Sequence, residues 1–258
     1  MAGARDVVIH TPEEILRTRA AAAITAEARD ELISRIEPGM TTLDVDLLAG
    51  RIIAATGGRS SFLGYHGFPG NVCVSVNDVV VHGIGNADTV LKEGDIVSID
   101  IGITIGGATG DTAKTVALGE VAPEVTNLLK VTEEALMNGI AQAVRGNHVN
   151  DISRAVEATA KRSRLGVVRD FEGHGVGIKL HEPPGIPNFD TRFKGPELRP
   201  GMVLAIEPMF NLGTWKVRVE RDNWTVRTLD GKLSAHFEHM VLITEEQTPE
   251  ILTWRKTM

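Results

Sequence analysis

The sequence is poor in the features that mark secreted, membrane-bound and nucleic-acid-binding proteins. Its single cysteine, Cys73, excludes an internal disulfide and fits a reducing compartment. No apolar run approaches the ~20 residues of a membrane-spanning helix, and the first residues lack the apolar segment of a secretory signal. A formal net charge of −7 provides no basic excess for nucleic acid. We therefore expect a cytoplasmic protein with no membrane partner and no specific nucleic-acid partner.

Aromatic residues are scarce as well, at 4% of the chain, and Tyr65 is the one tyrosine. The hydrophobic fraction of 42% over 258 residues is still sufficient for a packed core. No low-complexity tract and no linker rich in proline, glycine or serine divides the chain. These features predict a single domain over residues 1–258.

An internal repeat runs through the chain. "LKEGDIVSID" begins at Leu91 and "LRPGMVLAIE" begins at Leu198, which is 107 residues later. Upstream, "GMTTLDV" begins at Gly39 and "GNHVNDI" begins at Gly146, at the same offset of 107. Two matches at one offset predict two similar halves, over roughly residues 12–118 and 119–245.

The predicted elements repeat in the same way. Thr11, Pro12 and Glu14 form a capping box with proline in the first helical turn, which predicts a helix to about Ile36. Alternating apolar strands follow a second helix, and the second half copies this order. The further predicted starts are Leu43 and Asp151 for second helices, Pro123 for the third helix, and Gly166 for the later strands. We predict an α+β fold with pseudo-twofold symmetry, in which two helix pairs cover an antiparallel-rich sheet built from both halves.

Acidic residues fall at matching sites in the two halves. Asp100 and Glu207 are equivalent in the repeat, and each is followed by a second acid, Asp111 or Glu238. Carboxylates in apolar strands are costly unless paired or coordinated, and divalent cations would remove their mutual repulsion. Glycine-flanked His174 suits a transition metal. Taken singly, each acid has a structural alternative as a turn former or a strand end.

Seven short motifs occur in order along the chain, which are His82 in "VVVHGIGN", Asp100 in "SIDIG", Asp111 in "TGDTAKT", His174 in "GHGVG", His181 in "LHEPP", Glu207 in "AIEPM" and Glu238 in "FEHM". These motifs resemble those of methionine aminopeptidases over nearly the whole chain, and their compact spacing resembles the type I branch. The resemblance implies the pseudo-symmetric pita-bread fold. It also implies a catalytic domain that removes initiator methionine from nascent chains when the next residue is small.

The resemblance further implies a role for each motif residue. Asp100 would bind one of two divalent ions (Mn, Fe, Co or Zn), Asp111 and Glu238 would bridge both, and His174 and Glu207 would complete the second site. Glu207 would also carry protons. His181 would donate to the scissile carbonyl, and His82 would contact the substrate near the scissile bond.

A methionine pocket follows from the same alignment of motifs. Its predicted lining, besides His82, is Tyr65, Phe68, Cys73 and Trp224, with Phe62 and Leu180 at the edge. An apolar wall containing sulfur and aromatic rings suits a thioether. Leu180 replaces an expected aromatic residue and Phe62 an expected smaller one. Plain core packing is the alternative for the aromatic residues, as is an inert buried thiol for Cys73.

Several readings stay open at this stage. Proline-specific peptidases and a metal-free creatine hydrolase share the fold, and a binding module with a dead site is a rival of another class. The ribosome is a candidate partner, and the basic stretch 161–169 is either a contact for ribosomal RNA or a solvated helix end. We expect a monomer. His236 is either a partner of Glu238 or an exposed strand residue. His10, His148 and His239 are expected to be ordinary surface or strand residues.

Overall fold

The computed structural model describes residues 7–254. It contains four α-helices, which are α1 (Pro12–Ile33), α2 (Thr42–Ala55), α3 (Pro123–Ile140) and α4 (Val149–Arg162). Helix α1 begins with the predicted capping box between Thr11 and Glu14, and it ends three residues before the predicted Ile36. Within the described range, no helix has the length and apolar character needed to cross a membrane. The ends of the predicted domain, residues 1–6 and 255–258, lie outside the described residues.

The strands are short apart from one long hairpin, and every strand pairing is antiparallel. They are β1 (Arg59–Ser60), β2 (Cys73–Val76), β3 (Val79–Val81), β4 (Ile96–Ile105), β5 (Ala108–Ala117), β6 (Gly166–Val167), β7 (Gly173–Gly175), β8 (Glu182–Ile186), β9 (Val203–Ile206), β10 (Met209–Asn211), β11 (Val217–Val219), β12 (Val226–Thr228), β13 (Ser234–His236), β14 (His239–Leu242) and β15 (Glu250–Ile251). A single 3-10 turn covers Tyr65–Gly67. The α+β prediction is confirmed.

The two halves match in structure at the offset seen in the sequence. Helices α2 and α4 both have 14 residues, and their first residues, 42 and 149, differ by 107. An isolated β-bridge joins Thr41 to Val90 in the first half, and another joins His148 to Glu197 in the second, again 107 residues on. Each half thus ties the start of its second helix to the segment before its central strand.

The strands do not form the one continuous sheet that we predicted. They divide among four hydrogen-bonded sheets, of which the sheet containing β4 and β5 comes from the first half and the sheet β15-β14-β9-β7-β8 from the second. These two sheets are joined by isolated hydrogen bonds, some from side chains and some from the backbone. The N–H of Glu238 donates to the carbonyl oxygen of Ala113 at 2.9 Å, and the Thr112 hydroxyl donates to the Glu238 carbonyl at 2.9 Å. This seam brings the acids of both halves together.

Helices and strands enclose a core in each half. Helix α1 packs against β4 and β5, and α3 packs against β9, β10 and β13. The first core contains Leu32, Val45 and Ile99, and the second contains Leu128, Ile152 and Phe210, all nearly inaccessible to solvent. Burial of such side chains contributes about 1.5–3 kcal/mol each. The cores therefore provide a rigid base for the side chains at the seam.

Candidate active site

The first two acids lie on one face of the β4–β5 hairpin. Asp100 is opposite Ala113, and Asp111 is opposite Gly102, so the two carboxylates are diagonal neighbours across the strand pair. The turn of this hairpin is at Gly106 and Gly107. Asp111 is therefore a strand residue in β5, and its alternative as a turn former is wrong.

The other two acids come from the second half. Glu207 directly follows β9, and Glu238 directly precedes β14, its antiparallel partner. Asp111 and Glu238 are buried, each with 3% of its surface exposed, whereas Asp100 and Glu207 are half-buried and open onto a cavity. The register of β9 and β14, in which His239 is opposite Ile206, brings Glu238 opposite Glu207 just beyond the paired residues, whereas Asp100 and Asp111 are diagonal neighbours.

His174 lies between these acids. Its Nε2 is 3.8 Å from Oδ2 of Asp111 and 3.5 Å from Oε1 of Glu207. Its Nδ1 is 2.9 Å from the carbonyl oxygen of Gly175, so Nδ1–H donates there and the lone pair of Nε2 faces the carboxylates. A Cβ on Gly173 would lie 2.3 Å from the Ala205 carbonyl oxygen. This glycine therefore lets β7, and with it His174, approach β9 closely.

Burial controls the charges at this cluster. For the protein alone, burial raises the pKa of Asp100 to about 7 and that of Glu207 to about 8, with the Glu172 carboxylate adding to the latter rise. Burial and then the neighbouring carboxylates raise the pKa values of Asp111 and Glu238 well above their ordinary range. Burial and then His181 lower the pKa of His174 to about 3. The imidazole is neutral, which is the form that binds metals.

The cluster fits divalent cations. Among the described residues, Oδ1 of Asp100, Oδ1 of Asp111 and Oε1 of Glu238 are buried without a hydrogen-bond partner. Buried oxygens of this kind require a compensating partner. Ligand atoms of Asp111, His174 and Glu238 lie within 4.8 Å of one another. The cluster combines neighbouring carboxylates, whose oxygens lack partners, with the neutral imidazole of His174, which is held at Nδ1. This is the donor set of a metal site.

One cavity of about 440 Å³ joins this cluster to an apolar slot. All thirteen residues that the sequence suggested line it, which are Phe62, Tyr65, Phe68, Cys73, His82, Asp100, Asp111, His174, Leu180, His181, Glu207, Trp224 and Glu238. Phe62, Phe68, Cys73 and Leu180 form a separate buried apolar cluster, against which Tyr65 and Trp224 pack. The Phe68 and Trp224 rings meet edge to face at 5.1 Å. The apolar side chains therefore form a wall of the cavity as well as a packed cluster.

His181 and Tyr65 are hydrogen-bonded at the mouth of the cavity. Nδ1 of His181 lies 2.8 Å from the Tyr65 hydroxyl, and the His181 ring is 4.2 Å from the His174 ring. Partial burial, and then the nearby His66, lower the pKa of His181. The neutral ring can thus accept from Tyr65 at Nδ1 and present Nε2–H to the cavity.

His82 takes a left-handed backbone conformation, with φ of 58°, beside the cavity. Such a conformation is uncommon for a residue other than glycine and is found at functional sites. Its ring packs against Phe171 at 5.4 Å and Trp224 at 6.0 Å. Burial lowers the pKa of His82 to about 4, so the ring is neutral at neutral pH.

The prediction for His236 is wrong in both its forms. His236 is buried at 1% exposure, and its Nε2 lies 3.4 Å from Oε2 of Glu207 instead of contacting Glu238. His236 is the last residue of β13 and is opposite Met209 in β10, which brings it close to Glu207, two residues before Met209. The prediction for His10 as an ordinary surface or strand residue is also wrong, because His10 is buried against Glu182.

Sequence reasoning assigned no role to five of the residues that line the cavity, namely His66, Val81, Phe171, Glu172 and Met209, although the alignment of motifs places His66 close to the pocket. Four of them directly neighbour motif residues in the chain or lie two positions away: His66 follows Tyr65, Val81 precedes His82, and Glu172 lies two before His174. Proximity to a motif was the available signal. The pattern of apolar residues could not say which neighbour faces the cavity.

These features define a class of protein. Buried carboxylates and a neutral imidazole beside an apolar slot that can hold a substrate side chain are typical of the active site of a metal-dependent hydrolase.

Comparison with known proteins identifies the family. The sequence pattern of metallopeptidase family M24 matches residues 17–245. Methionine aminopeptidase 1 of Bacillus subtilis is 47% identical over 93% of this chain and 96% of its own length. The crystal structure of methionine aminopeptidase from Thermotoga maritima superposes with a TM-score of 0.93 at 43% identity, covering 97% of this chain and 100% of that one. Prolidase from Pyrococcus furiosus, at 22% identity and a TM-score of 0.78 over 97% of this chain and 66% of that one, shares the fold.

The chain belongs to metallopeptidase family M24 and, within it, to the methionine aminopeptidases. Its pseudo-symmetric architecture is the pita-bread fold, as predicted. Membership of a metallopeptidase family implies divalent metal ions, with which the buried donor set agrees.

Proposed function

We propose that this enzyme removes the initiator methionine from nascent proteins whose next residue is small, with a centre of two divalent ions. The observation that carries the proposal is the single cavity that joins a buried carboxylate–imidazole cluster to an apolar slot. The residues that would hold the ions are Asp100, Asp111, His174, Glu207 and Glu238. Asp111 and Glu238, the two carboxylates of this set that are fully buried, would be ligands to the ions. Mn, Fe, Co and Zn are the candidate metals.

The ions would supply one kind of chemistry, which is to lower the pKa of a water molecule, polarise the scissile carbonyl and offset developing negative charge. Glu207 would receive a proton from the attacking water and deliver it to the departing amino group. Burial raises the pKa of its carboxyl group to about 8 for the protein alone. This rise applies before metal binds, so support for the proton-carrying role comes from the position of the carboxylate in the cavity wall, 3.5 Å from Nε2 of His174.

His181 would donate a hydrogen bond from Nε2–H to the carbonyl oxygen as charge develops there. The hydroxyl of Tyr65, 2.8 Å from Nδ1, supports this tautomer by donating to the other ring nitrogen. His82 would contact the peptide near the scissile bond. Its neutral ring and constrained backbone suit a hydrogen-bonding role in a fixed position.

The apolar slot would select the methionine side chain. Phe62, Phe68, Cys73, Leu180 and Trp224 provide an apolar wall with one sulfur atom and aromatic rings, which favours a thioether over a polar side chain. The free α-amino group would lie at the carboxylate cluster, which would restrict cleavage to the first residue. Crowding at the cavity mouth around Tyr65, His66 and His181 supports a small second residue.

The cellular setting is also part of the proposal. The substrates would be the N-termini of nascent chains that begin with methionine, so we propose a cytoplasmic monomer that works near the ribosome. Residues 1–258 would form one catalytic domain with halves at about 12–118 and 119–245. The equivalent bridges at Thr41 and His148 support this division.

Hydrolysis of Met-Ala-Ser and Met-Leu-Ser tripeptides by the purified enzyme tests the proposal. Each peptide is assayed after chelation and after adding back Mn, Fe, Co or Zn singly, with an Xaa-Pro dipeptide as the control substrate. Release of methionine from Met-Ala-Ser alone, with a metal requirement, is the expected result. Cleavage of the Xaa-Pro dipeptide instead of Met-Ala-Ser would show that the enzyme is a proline-specific peptidase. Metal binding without any cleavage would contradict both.

A further inference from the structure

A buried pair of charges connects the N-terminal segment to the active-site loop. Nε2 of His10 lies 3.0 Å from Oε2 of Glu182, and their side chains are 1% and 4% exposed. Neither atom has a hydrogen-bond partner elsewhere in residues 7–254. A buried carboxylate depends on such a partner, since leaving it unpaired is costly. The two residues therefore constrain each other.

Glu182 closes the loop that carries two residues of the cavity. Its other oxygen, Oε1, accepts hydrogen bonds from the backbone N–H groups of Ile178 at 3.0 Å and Lys179 at 2.8 Å. Leu180 and His181 lie between these donors and Glu182 in the chain. One carboxylate thus fixes both ends of a five-residue loop.

His10 is itself held from two sides. Its N–H donates to the carbonyl oxygen of Gly201 at 2.9 Å, and the next residue, Thr11, caps helix α1. Its ring lies against Gly177, where an added Cβ would be 2.8 Å from the ring atoms Cε1 and Nε2. The ring therefore touches the backbone just before the loop, as well as the carboxylate that closes it.

The charges of the pair agree with this arrangement. Hydrogen bonding to Glu182 raises the pKa of His10, and the carboxylates of Glu182 and Glu14 add to the rise against the effect of burial. Burial by itself would raise the pKa of Glu182, but the hydrogen bonds from His10, Lys179 and Ile178 together lower it. Near pH 6 both partners are charged.

The position of His181 depends on this loop. His181 is an exposed residue at the cavity mouth, where its ring contacts the rings of His174 and Tyr65, and its side-chain hydrogen bond is to Tyr65. Catalytic hydrogen bonds depend on placement, and a shift of about 1 Å can reduce the rate about 100-fold. The backbone of residues 178–182 therefore decides whether Nε2 of His181 reaches a reacting carbonyl.

We propose that His10 and Glu182 are positioning residues for the reaction, which hold the loop 178–182 so that His181 faces the scissile carbonyl and Leu180 the methionine slot. The inference rests on the proposed function, in which His181 is the donor. His10 touches no reacting atom and acts through Glu182 and the loop.

Kinetics of three variants on Met-Ala-Ser test the inference. His10→Ala is expected to lower kcat about 10- to 100-fold with a smaller change in KM, by analogy with misplaced catalytic groups. His10→Gln retains a donor of similar reach and is expected to recover most of the loss. Arg19→Ala is the matched control, because Arg19 anchors the same helix to Glu250 through two contacts of 2.7 Å away from the loop. It is expected to keep the normal kcat.

Combination with His181→Ala decides whether His10 acts through His181. If it does, His10→Ala has little further effect on kcat in the His181→Ala background, since the two losses are not additive. If the reductions in kcat of the two single variants multiply in the double variant, the inference is overturned. A normal kcat in His10→Ala beside a slowed His181→Ala would also overturn it and leave the donor role intact. A normal kcat in His181→Ala would overturn the donor role and, with it, this inference.

Amide hydrogen exchange gives a readout that does not depend on turnover. The N–H groups of Ile178 and Lys179 are expected to exchange faster in His10→Ala and in Glu182→Gln, but not in Arg19→Ala. Glu182→Gln keeps the size of the side chain and serves if His10→Ala folds poorly. Unchanged exchange at these two amides in folded variants would contradict the inference.

Discussion

Asp100 and Asp111 are diagonal neighbours on one face of a single antiparallel hairpin, because Asp100 is opposite Ala113 and Asp111 is opposite Gly102. The residue opposite each acid is small, so space remains beside both carboxylates. A slip of one residue in this pairing would place the two carboxylates on opposite faces of the hairpin. The register of the hairpin therefore determines the first half of the metal-binding cluster.

We expect Asp111→Asn to abolish turnover while the protein stays folded. An amide cannot supply the negative charge that the proposed metal site requires of Asp111, which is buried beside Asp100 and Glu207. The kcat on Met-Ala-Ser, the bound metal and the thermal melting curve measure these effects, with exposed Asp88→Asn as the control. Near-normal activity of Asp111→Asn would contradict its assignment as a ligand.

Above about pH 7, where His82 and His174 are neutral in both the folded and the unfolded protein, the enzyme without metal is expected to lose stability as the pH rises. The folded-state pKa values of Asp100 and Glu207, about 7 and about 8, lie above the ordinary 3.8 and 4.5. Between the ordinary and the folded-state pKa values, the folded protein binds more protons than the unfolded chain. The contribution of Asp100 and Glu207 to the free energy of unfolding is therefore full below the ordinary pKa values and is lost as the pH rises through the folded-state values. Saturating metal should remove this dependence, because it pairs the ionised groups.

Urea unfolding from about pH 5 to about pH 9, with chelator and with Mn, measures this difference. Stabilisation by the metal is expected to grow with pH across the range. In chelated Asp111→Asn the decline should be smaller, since one of the interacting acids is neutral. A chelated wild-type protein whose free energy of unfolding stays constant through the range would contradict the electrostatic account.

Tyr65→Phe is expected to reduce kcat about fivefold, because a neutral hydrogen bond contributes about 1 kcal/mol. The missing hydroxyl would release Nδ1 of His181, to which it lies at 2.8 Å, and allow the other tautomer. His181→Ala should cost about 100- to 1,000-fold, as loss of an oxyanion donor does. Steady-state kinetics of both variants and of the double variant provide the test. Equal effects of Tyr65→Phe with and without His181 would rule out this coupling.

Gly102→Ala is expected to narrow the methionine slot. A Cβ on Gly102 would lie 2.6 Å from Cε1 of Phe62, so the ring must move toward the cavity that it lines. The KM for Met-Ala-Ser should rise, while metal content stays normal. The companion variant Phe62→Ala, introduced into Gly102→Ala, should lower KM again by removing the ring. If KM remains high in the double variant, the effect of Gly102→Ala has another origin, such as a shift of Asp111.

The sequence predicted which residues line the cavity better than it predicted the sheets. Local chemistry was enough for the cap at Thr11, and the repeat was visible because Gly39 and Gly146 precede equivalent helices. The single continuous sheet was wrong, since alternation shows that a segment is a strand but does not show which strand it pairs with. That pairing divides the strands among four sheets.

His236 and His10 illustrate what a linear pattern cannot decide. His10 was expected to be an ordinary surface or strand residue, and His236 either a partner of Glu238 or an exposed strand residue. Both are buried beside carboxylates from other segments, Glu182 and Glu207. The distance from His10 to Glu182 in the sequence leaves no periodic signal. Burial of a polar residue depends on which segment covers it, and only the folded chain determines that.

The sequence by itself determined the pseudo-twofold order of elements, the acids and histidines of the cluster, and the family to which they point, because capping, strand alternation and motif spacing are local properties. Only the tertiary structure decided that the apolar slot and the carboxylates share one cavity, that Glu207 contacts His236, and that the N-terminal segment holds the loop of His181. Those relationships depend on hairpin register and on the seam between two halves. Both are set by packing and hydrogen bonds between residues distant in the chain.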